Sequence, residues 1–241
     1  MDLYNYINNN LQKNKKNYIF IDEIQKIPEF QKVADSLYIN KNVDLYITGS
    51  NANLLSSELS TLLTGRYVEI KMLPLSFKEY KEAFNIEDLE ELYKKYISMG
   101  SFPYATKLEE NEIGKYLGSL YNDVIIKDVM IRKGITDEAM LKSVANFALD
   151  NIGNLISTNS IANTMTSDGR SINVRTVEKY LEGFIESFFL YKANRYDIKG
   201  KQYLKTGEKY YVSDLGLRYF MLGRKVGDRG HILENVVYLE L

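Results

Sequence analysis

In the N-terminal part of the chain, short apolar blocks alternate with helical stripes. Tyr18-Ile19-Phe20-Ile21 is a run of aromatic and β-branched residues followed at once by Asp22 and Glu23. A short run that is apolar at every position predicts a strand buried on both faces, as in a parallel sheet. Residues 28–40 set Phe30, Val33, Ala34 and Leu37 at helical spacing, and Pro28 suits the start of that helix. Leu45-Tyr46-Ile47-Thr48 predicts a second strand, which runs into Gly49-Ser50-Asn51. A further helix is expected to about Leu63, then a third strand over 67–71. Strand, helix, strand, helix, strand predicts an α/β layer with parallel strands.

Residues 77–92 read as one acidic helix. Gly100-Ser101-Phe102-Pro103 punctuates the pattern and predicts a domain boundary. Beyond it the chain turns mainly α-helical. Helices are expected over 113–131 and 137–151, with Leu117, Leu120, Tyr121, Val124, Ile125 and Val129 on the apolar stripe of the first. A short helix over 159–166, a turn at Ser167-Asp168-Gly169-Arg170 and a longer helix over 173–187 follow. Strands over 189–195 and 209–212 flank a Lys/Gly-rich loop, and a last helix covers 214–222. Two helices, a turn, a third helix and a hairpin predict a winged-helix domain. The expected fold class is α/β followed by mainly α.

Composition narrows the chemistry. Of 241 residues 45% are hydrophobic, enough for a real core, and the net charge is -1, so no global polyelectrolyte-binding character is indicated. With no cysteine, disulfides and thiolate metal sites are excluded, and the single His231 excludes a histidine cluster. His231 reads as a packing or hydrogen-bonding residue. No apolar run reaches the ~18 residues of a membrane-spanning helix, and no signal peptide opens the chain, so a soluble, cytoplasmic protein is expected.

A strand ending in Asp-Glu suits nucleotide hydrolysis. The Asp carboxylate is positioned to hold a magnesium-bound water, and the Glu to orient or deprotonate the attacking water. The competing reading is that Asp22 and Glu23 only cap the next helix. Ser50 and Asn51 end the second strand, at the edge where open α/β sheets bind ligands. An ordinary turn with a helix cap accounts for them equally. Arg66, just before the third strand, is placed to reach a γ-phosphate in cis or in trans, or else to form a surface ion pair.

Taken in order, Tyr18–Gln25, Ile47-Thr48-Gly49-Ser50-Asn51, Leu63-Thr64-Gly65-Arg66 and the segment from Leu73 to Tyr80 resemble a large family of bacterial and archaeal AAA-type ATPases. Its members join an ATPase domain to a winged-helix region and end in a restriction-endonuclease-like domain. The resemblance continues through Gly100-Ser101-Phe102-Pro103, the run from Lys209 to Leu217, and Gly230 to Asn235. It implies a partial, incomplete P-loop ATPase domain over 1–100, a winged-helix domain over 101–225 and the start of a nuclease-like domain over 226–241. Asp22 and Glu23 become the Walker B pair, with Asp22 as the metal and cofactor residue. Ser50 and Asn51 fall in the sensor region, and Arg66 near the nucleotide. ATP and magnesium are the implied cofactors, and a homo-oligomer is an implied assembly. No G-x-x-x-x-G-K-[ST] phosphate loop occurs in the sequence. The chain is therefore expected to be a fragment, truncated at both ends and unable to hydrolyse ATP efficiently alone.

The 173–187 helix is the expected recognition helix, with Arg175 and Lys179 on its polar side. The hairpin adds Lys199 and Lys201 to a basic wing suited to DNA phosphates. A protein partner is the alternative occupant. Glu234 and Glu240 match the opening of the nuclease-like domain, which makes a nuclease remnant the weakest of three readings.

Overall fold

The computed structural model describes residues 2–50, 65–84, 86–194, 207–225 and 227–241. The chain forms two compact units, residues 1–71 and 72–241.

In the first unit α1 (Asp2–Asn10) leads into β1 (Asn17–Ile21). A single 3-10 turn, Ile24–Lys26, and α2 (Phe30–Tyr38) cross over to β2 (Val43–Ile47). The strands are parallel and in register, Asn17 opposite Val43 through Ile21 opposite Ile47. Ile24, Phe30 and Ala34 are buried, and Ile21, Ile27, Leu45 and Ile47 pack on them. This covers one face of the sheet. The other face is bare, with Tyr18 61% and Phe20 74% exposed. The expectation of a strand buried on both faces is therefore corrected. Exposure alternates along β1, and on the open face Phe20 stacks on Tyr46 across the strands at 4.8 Å. The third strand is also corrected. Residues 67–71 are exposed and join no ladder among the described residues. β-branched residues become a strand only where a sheet edge accepts their backbone. The helix expected to Leu63 lies outside the described residues.

The second unit holds α3 (Phe77–Ala83), α4 (Leu89–Met99), α5 (Glu110–Ser119), a π-helical stretch (Leu120–Ile126), α6 (Lys127–Lys133) and α7 (Glu138–Asp150). β3 (Leu155–Ile156), α8 (Thr158–Ser167), α9 (Val174–Glu186), β4 (Leu190–Ala193), β5 (Glu208–Val212), α10 (Leu215–Leu222) and α11 (Arg229–Glu240) follow. The sheet is antiparallel with order β3-β5-β4. One core runs through it, including Leu141, Val144 and Leu149 of α7 and Val177, Leu181 and Phe184 of α9. Gly183 lets α9 approach α6 closely, since a Cβ there would lie 2.6 Å from a Val129 methyl. The single helix expected over 77–92 is two. Ser76 and Glu79 form a capping box on α3, and Asp88 caps α4 by accepting from Glu90 and Glu91 amides. Among the described residues no helix is long and apolar enough to cross a membrane.

The units part between Lys71 and Met72, so the boundary expected at 100–103 is corrected. The reason is Asp214, which is fully buried. Its carboxylate accepts from the Ser101 amide and hydroxyl and from the Leu217 amide at 2.8 Å, which caps α10. Burial pushes this carboxyl up, and those hydrogen bonds oppose the shift. A Cβ on Gly216 would lie 2.4 Å from Gly100 Cα, so two glycines make this contact sterically allowed.

In the segment 226–241, α11 packs on the second unit. Buried Asn235 accepts from the Val212 amide at 2.9 Å and donates to the Val212 carbonyl at 3.0 Å, imitating a neighbouring strand. Tyr238 stacks on Tyr211 at 4.1 Å. Replacing Asn235 by Leu keeps the volume but orphans a buried donor and a buried acceptor. Urea unfolding should show the unit losing about 3 kcal/mol; a loss below about 0.5 kcal/mol would contradict this role.

Candidate functional site

The parallel register of β1 and β2 decides the site. Because Ile21 is opposite Ile47, the next residues, Asp22 and Thr48, emerge side by side at the C-terminal edge. The Thr48 amide donates to the Ile21 carbonyl at 3.0 Å, and the Ile24 amide donates back to the Thr48 carbonyl at 3.1 Å. The Thr48 hydroxyl accepts from the Glu23 amide at 3.1 Å and donates to Asp22 Oδ1. Ser50 Oγ donates to Glu23 Oε2 at 3.3 Å. Two hydroxyls thus hold two adjacent carboxylates, and Asp22 remains exposed while Glu23 is half-buried.

Glu23 has φ 51° and ψ 49°, the left-handed region that non-glycine residues avoid. That conformation costs about 1–2 kcal/mol. It turns the chain sharply off the strand, so that Asp22 and Glu23 both stay at the rim. The capping alternative is not realised: Glu23 precedes the 3-10 turn without any side-chain capping bond. Glu29 ahead of α2 makes none either.

Arg66 is not brought to this rim. Its guanidinium donates to Asp35 Oδ1 at 2.8 Å and lies 5.5 Å from the Tyr38 ring centroid. Both partners are on α2, so the surface ion-pair reading applies in this conformation. Asn51 lies outside the described residues. Thr48 is the member of the cluster that residue-by-residue reading passed over. Its signal was present, a β-branched hydroxyl at the last strand position.

An oxygen-only donor set suits a hard cation. No group of three or more His, Cys, Asp or Glu that could hold a metal occurs among the described residues. Two adjacent carboxylates are the kind of partial donor set that a magnesium ion retaining most of its waters would need.

In the second unit Arg175 and Lys179 are exposed on α9, but Glu178 and Glu182 are exposed on the same helix. Two positive and two negative side chains cancel there. In the hairpin Lys192 pairs with Glu208, and Lys209 pairs with Glu234 at 2.7 Å. The described part of the wing is therefore electrostatically quenched. Lys199 and Lys201 lie outside the described residues.

The two acids of the nuclease reading point to different places. Glu234 accepts from Lys209 and from the Tyr211 hydroxyl at 2.6 Å, and half-buried His231 lies beside it against Gly153. Glu240 accepts from the Phe77 amide at the start of α3. Neither is free to join a metal site with the other.

With this geometry established, comparison with known proteins places the chain. Residues 1–81 match the family described as AAA domain, and residues 90–227, more than half of the chain, match a Domain of unknown function (DUF8612). The chain belongs to that second family, behind an AAA-type segment. It is similar to an uncharacterized protein of Haemophilus influenzae, 43% identical over 231 residues, or 94% of this chain and 58% of the relative. It is also similar to an uncharacterized protein of Methanocaldococcus jannaschii, 32% identical over 241 residues, or 95% of this chain and 53% of the relative. The chain therefore spans about half the length of the curated relatives it matches. The AAA-type part of the resemblance holds, on the N-terminal match.

Two measurements check the local chemistry. Glu23→Gly and Glu23→Ala remove the same side-chain contacts but differ in left-handed strain. The Gly variant should be more stable by about 1 kcal/mol in chemical denaturation; equal stability would mean that Glu23 is unstrained. Lys209 and Tyr211 hydrogen bonds hold the Glu234 carboxyl below its ordinary value of 4.5. Its stabilisation is therefore present above that value and lost as pH falls through the lower folded value. Glu234→Gln should flatten the acid limb of the stability curve there, whereas an unchanged limb would assign the acid sensitivity to other groups.

Proposed function

We propose that the first unit supplies the magnesium and water side of an ATP-hydrolysing site of AAA type. The observation that supports it is the hydroxyl-bridged pair Asp22–Glu23 at the C-terminal edge of two in-register parallel strands. Asp22 would hold a largely hydrated magnesium ion. Glu23 orients and deprotonates the attacking water, and Thr48 and Ser50 fix the two carboxylates. Asn51 belongs to the same sensor segment. When bound, magnesium would neutralise charge on the phosphates. Arg66 would have to leave Asp35 before it could serve a nucleotide. The 241 residues contain no phosphate loop, so this chain alone grips ATP weakly. Dependence on ATP implies a cytoplasmic setting, and a homo-oligomer is the assembly that would bring further residues to the rim.

A second reading, a winged-helix module binding DNA or a protein, is favoured by one observation. The order helix, short strand, helix, helix, hairpin, with the short strand pairing to the hairpin, supports it, since a winged helix would have that order. The neutralised charges on α9 and on the described part of the hairpin favour a protein partner over DNA.

Manganese, a paramagnetic substitute for magnesium, tests the first reading. Amide signals of Asp22, Glu23 and Thr48 should broaden first, and Asp22→Asn should abolish the effect. Broadening centred elsewhere would overturn it. A magnesium-ATP dissociation constant in the low micromolar range would contradict the missing phosphate grip. For the second reading, absence of duplex-DNA binding by anisotropy at low salt is the expected outcome. Tight binding weakened by Arg175→Glu and Lys179→Glu would reinstate DNA.

A further inference from the structure

The second unit contains a cavity of about 750 Å³ between α4, α10 and α11. Its volume is within the usual range of small-molecule sites, roughly 300–1,000 Å³. The walls are apolar: Tyr93 and Ile97 from α4, Tyr219 from α10 and Ile232 from α11 line it. Tyr93 and Ile97 lie four residues apart, so one face of α4 presents both to the space.

The charged lining is mostly positive, with Glu90 the one carboxylate among the described lining residues. Five cations line the cavity. Three of them are matched: Lys94 with Glu90 at 2.9 Å, buried Arg218 with Asp228, and Lys225 with Asp150. Arg224 and Arg229 have no carboxylate partner among the described residues. Arg218 is 3% exposed and is held by the Leu149 carbonyl at 2.8 Å as well as by Asp228. This double anchor fixes a buried guanidinium in the cavity wall. It also ties Asp228, at the start of α11, to α10. Arg229 directly follows the anchored Asp228, and Arg224 and Arg229 both line the cavity with exposed side chains. The site therefore combines an apolar interior with an uncompensated positive rim of two arginines.

We propose that this cavity binds a small amphipathic anion, an apolar body ending in a carboxylate or phosphate. The body would lie against Tyr93, Ile97, Tyr219 and Ile232, and the anionic head between Arg224 and Arg229. Arginine is suited to either head, because its planar fork pairs with carboxylate and phosphate oxygens alike. This site belongs to the second unit and does not depend on the ATPase reading of the first.

The test is a titration of the full chain followed by amide shifts of Tyr219, Ile232 and their neighbours. The probes are octyl phosphate, decanoate, inorganic phosphate and decyltrimethylammonium, each below its micelle concentration. Saturable shifts are expected with octyl phosphate or decanoate, and the tighter of the two identifies the preferred head. Inorganic phosphate and the cationic amphiphile should not saturate the site. Arg224→Glu/Arg229→Glu should weaken anion binding about tenfold or more. The variant should fold normally, since neither side chain has a partner to lose, and an unchanged thermal melt confirms it. Equal binding of the cationic and anionic amphiphiles, or binding indifferent to the double substitution, would overturn the proposal. An acidic peptide that fills the groove when neither small anion does would also overturn it.

Discussion

The in-register parallel pairing of β1 with β2 is the constraint on which the candidate chemistry depends. Side chains alternate along a strand, so a slip of one residue by β2 would turn Leu45 and Ile47 away from α2 and bring Tyr46 in, and the same slip by β1 would turn out Ile21. The apolar inner set therefore fixes the register, and the register fixes which polar residues meet at the edge. Thr48 meets Asp22, its hydroxyl also takes the Glu23 amide, and Ser50 reaches the Glu23 carboxylate. The strained backbone at Glu23 is compatible with this, because several hydrogen bonds determine the same turn.

The second unit rests on buried polar contacts between distant segments. Asp214 joins the start of α10 to Ser101, and Asn235 attaches α11 to the edge of β5. Such groups are costly to bury alone, so they are found where every hydrogen bond is made. They also explain why segments that look like punctuation in sequence are interior. Gly100-Ser101 reads as a turn between domains, yet its glycine and serine are what allow Asp214 and Gly216 to approach.

Much of the helical pattern was legible. α2 begins two residues after Pro28, α8 and α9 lie within a residue or two of their expected spans, and the hairpin strands pair as read. These elements rest on local periodicity and caps, which a sequence displays directly. What was not legible depends on what lies next to an element. Nothing within Tyr18–Ile21 states that only one side of the strand is covered, and nothing within 67–71 states that no edge accepts it. At the site, the Asp22–Glu23 pair and Ser50 were readable from their order, but Thr48 became part of it only through the strand register. Arg66 was readable as an arginine beside a strand, and its partner Asp35 only from the way α2 packs. In the described part of the wing the counter-charge on Lys209 was not readable either, since it comes from Glu234, on a helix distant in sequence.

The register itself can be trapped directly, because the chain has no cysteine. Ile21→Cys/Ile47→Cys should oxidise readily to an intramolecular disulfide, the two positions being paired across the parallel ladder. Ile19→Cys/Ile47→Cys should not, since an offset of two residues separates the backbones by roughly 8 Å, beyond disulfide reach. Efficient bridging of the offset pair, with none at the matched pair, would mean that Asp22 and Thr48 are not neighbours and that the proposed rim does not exist.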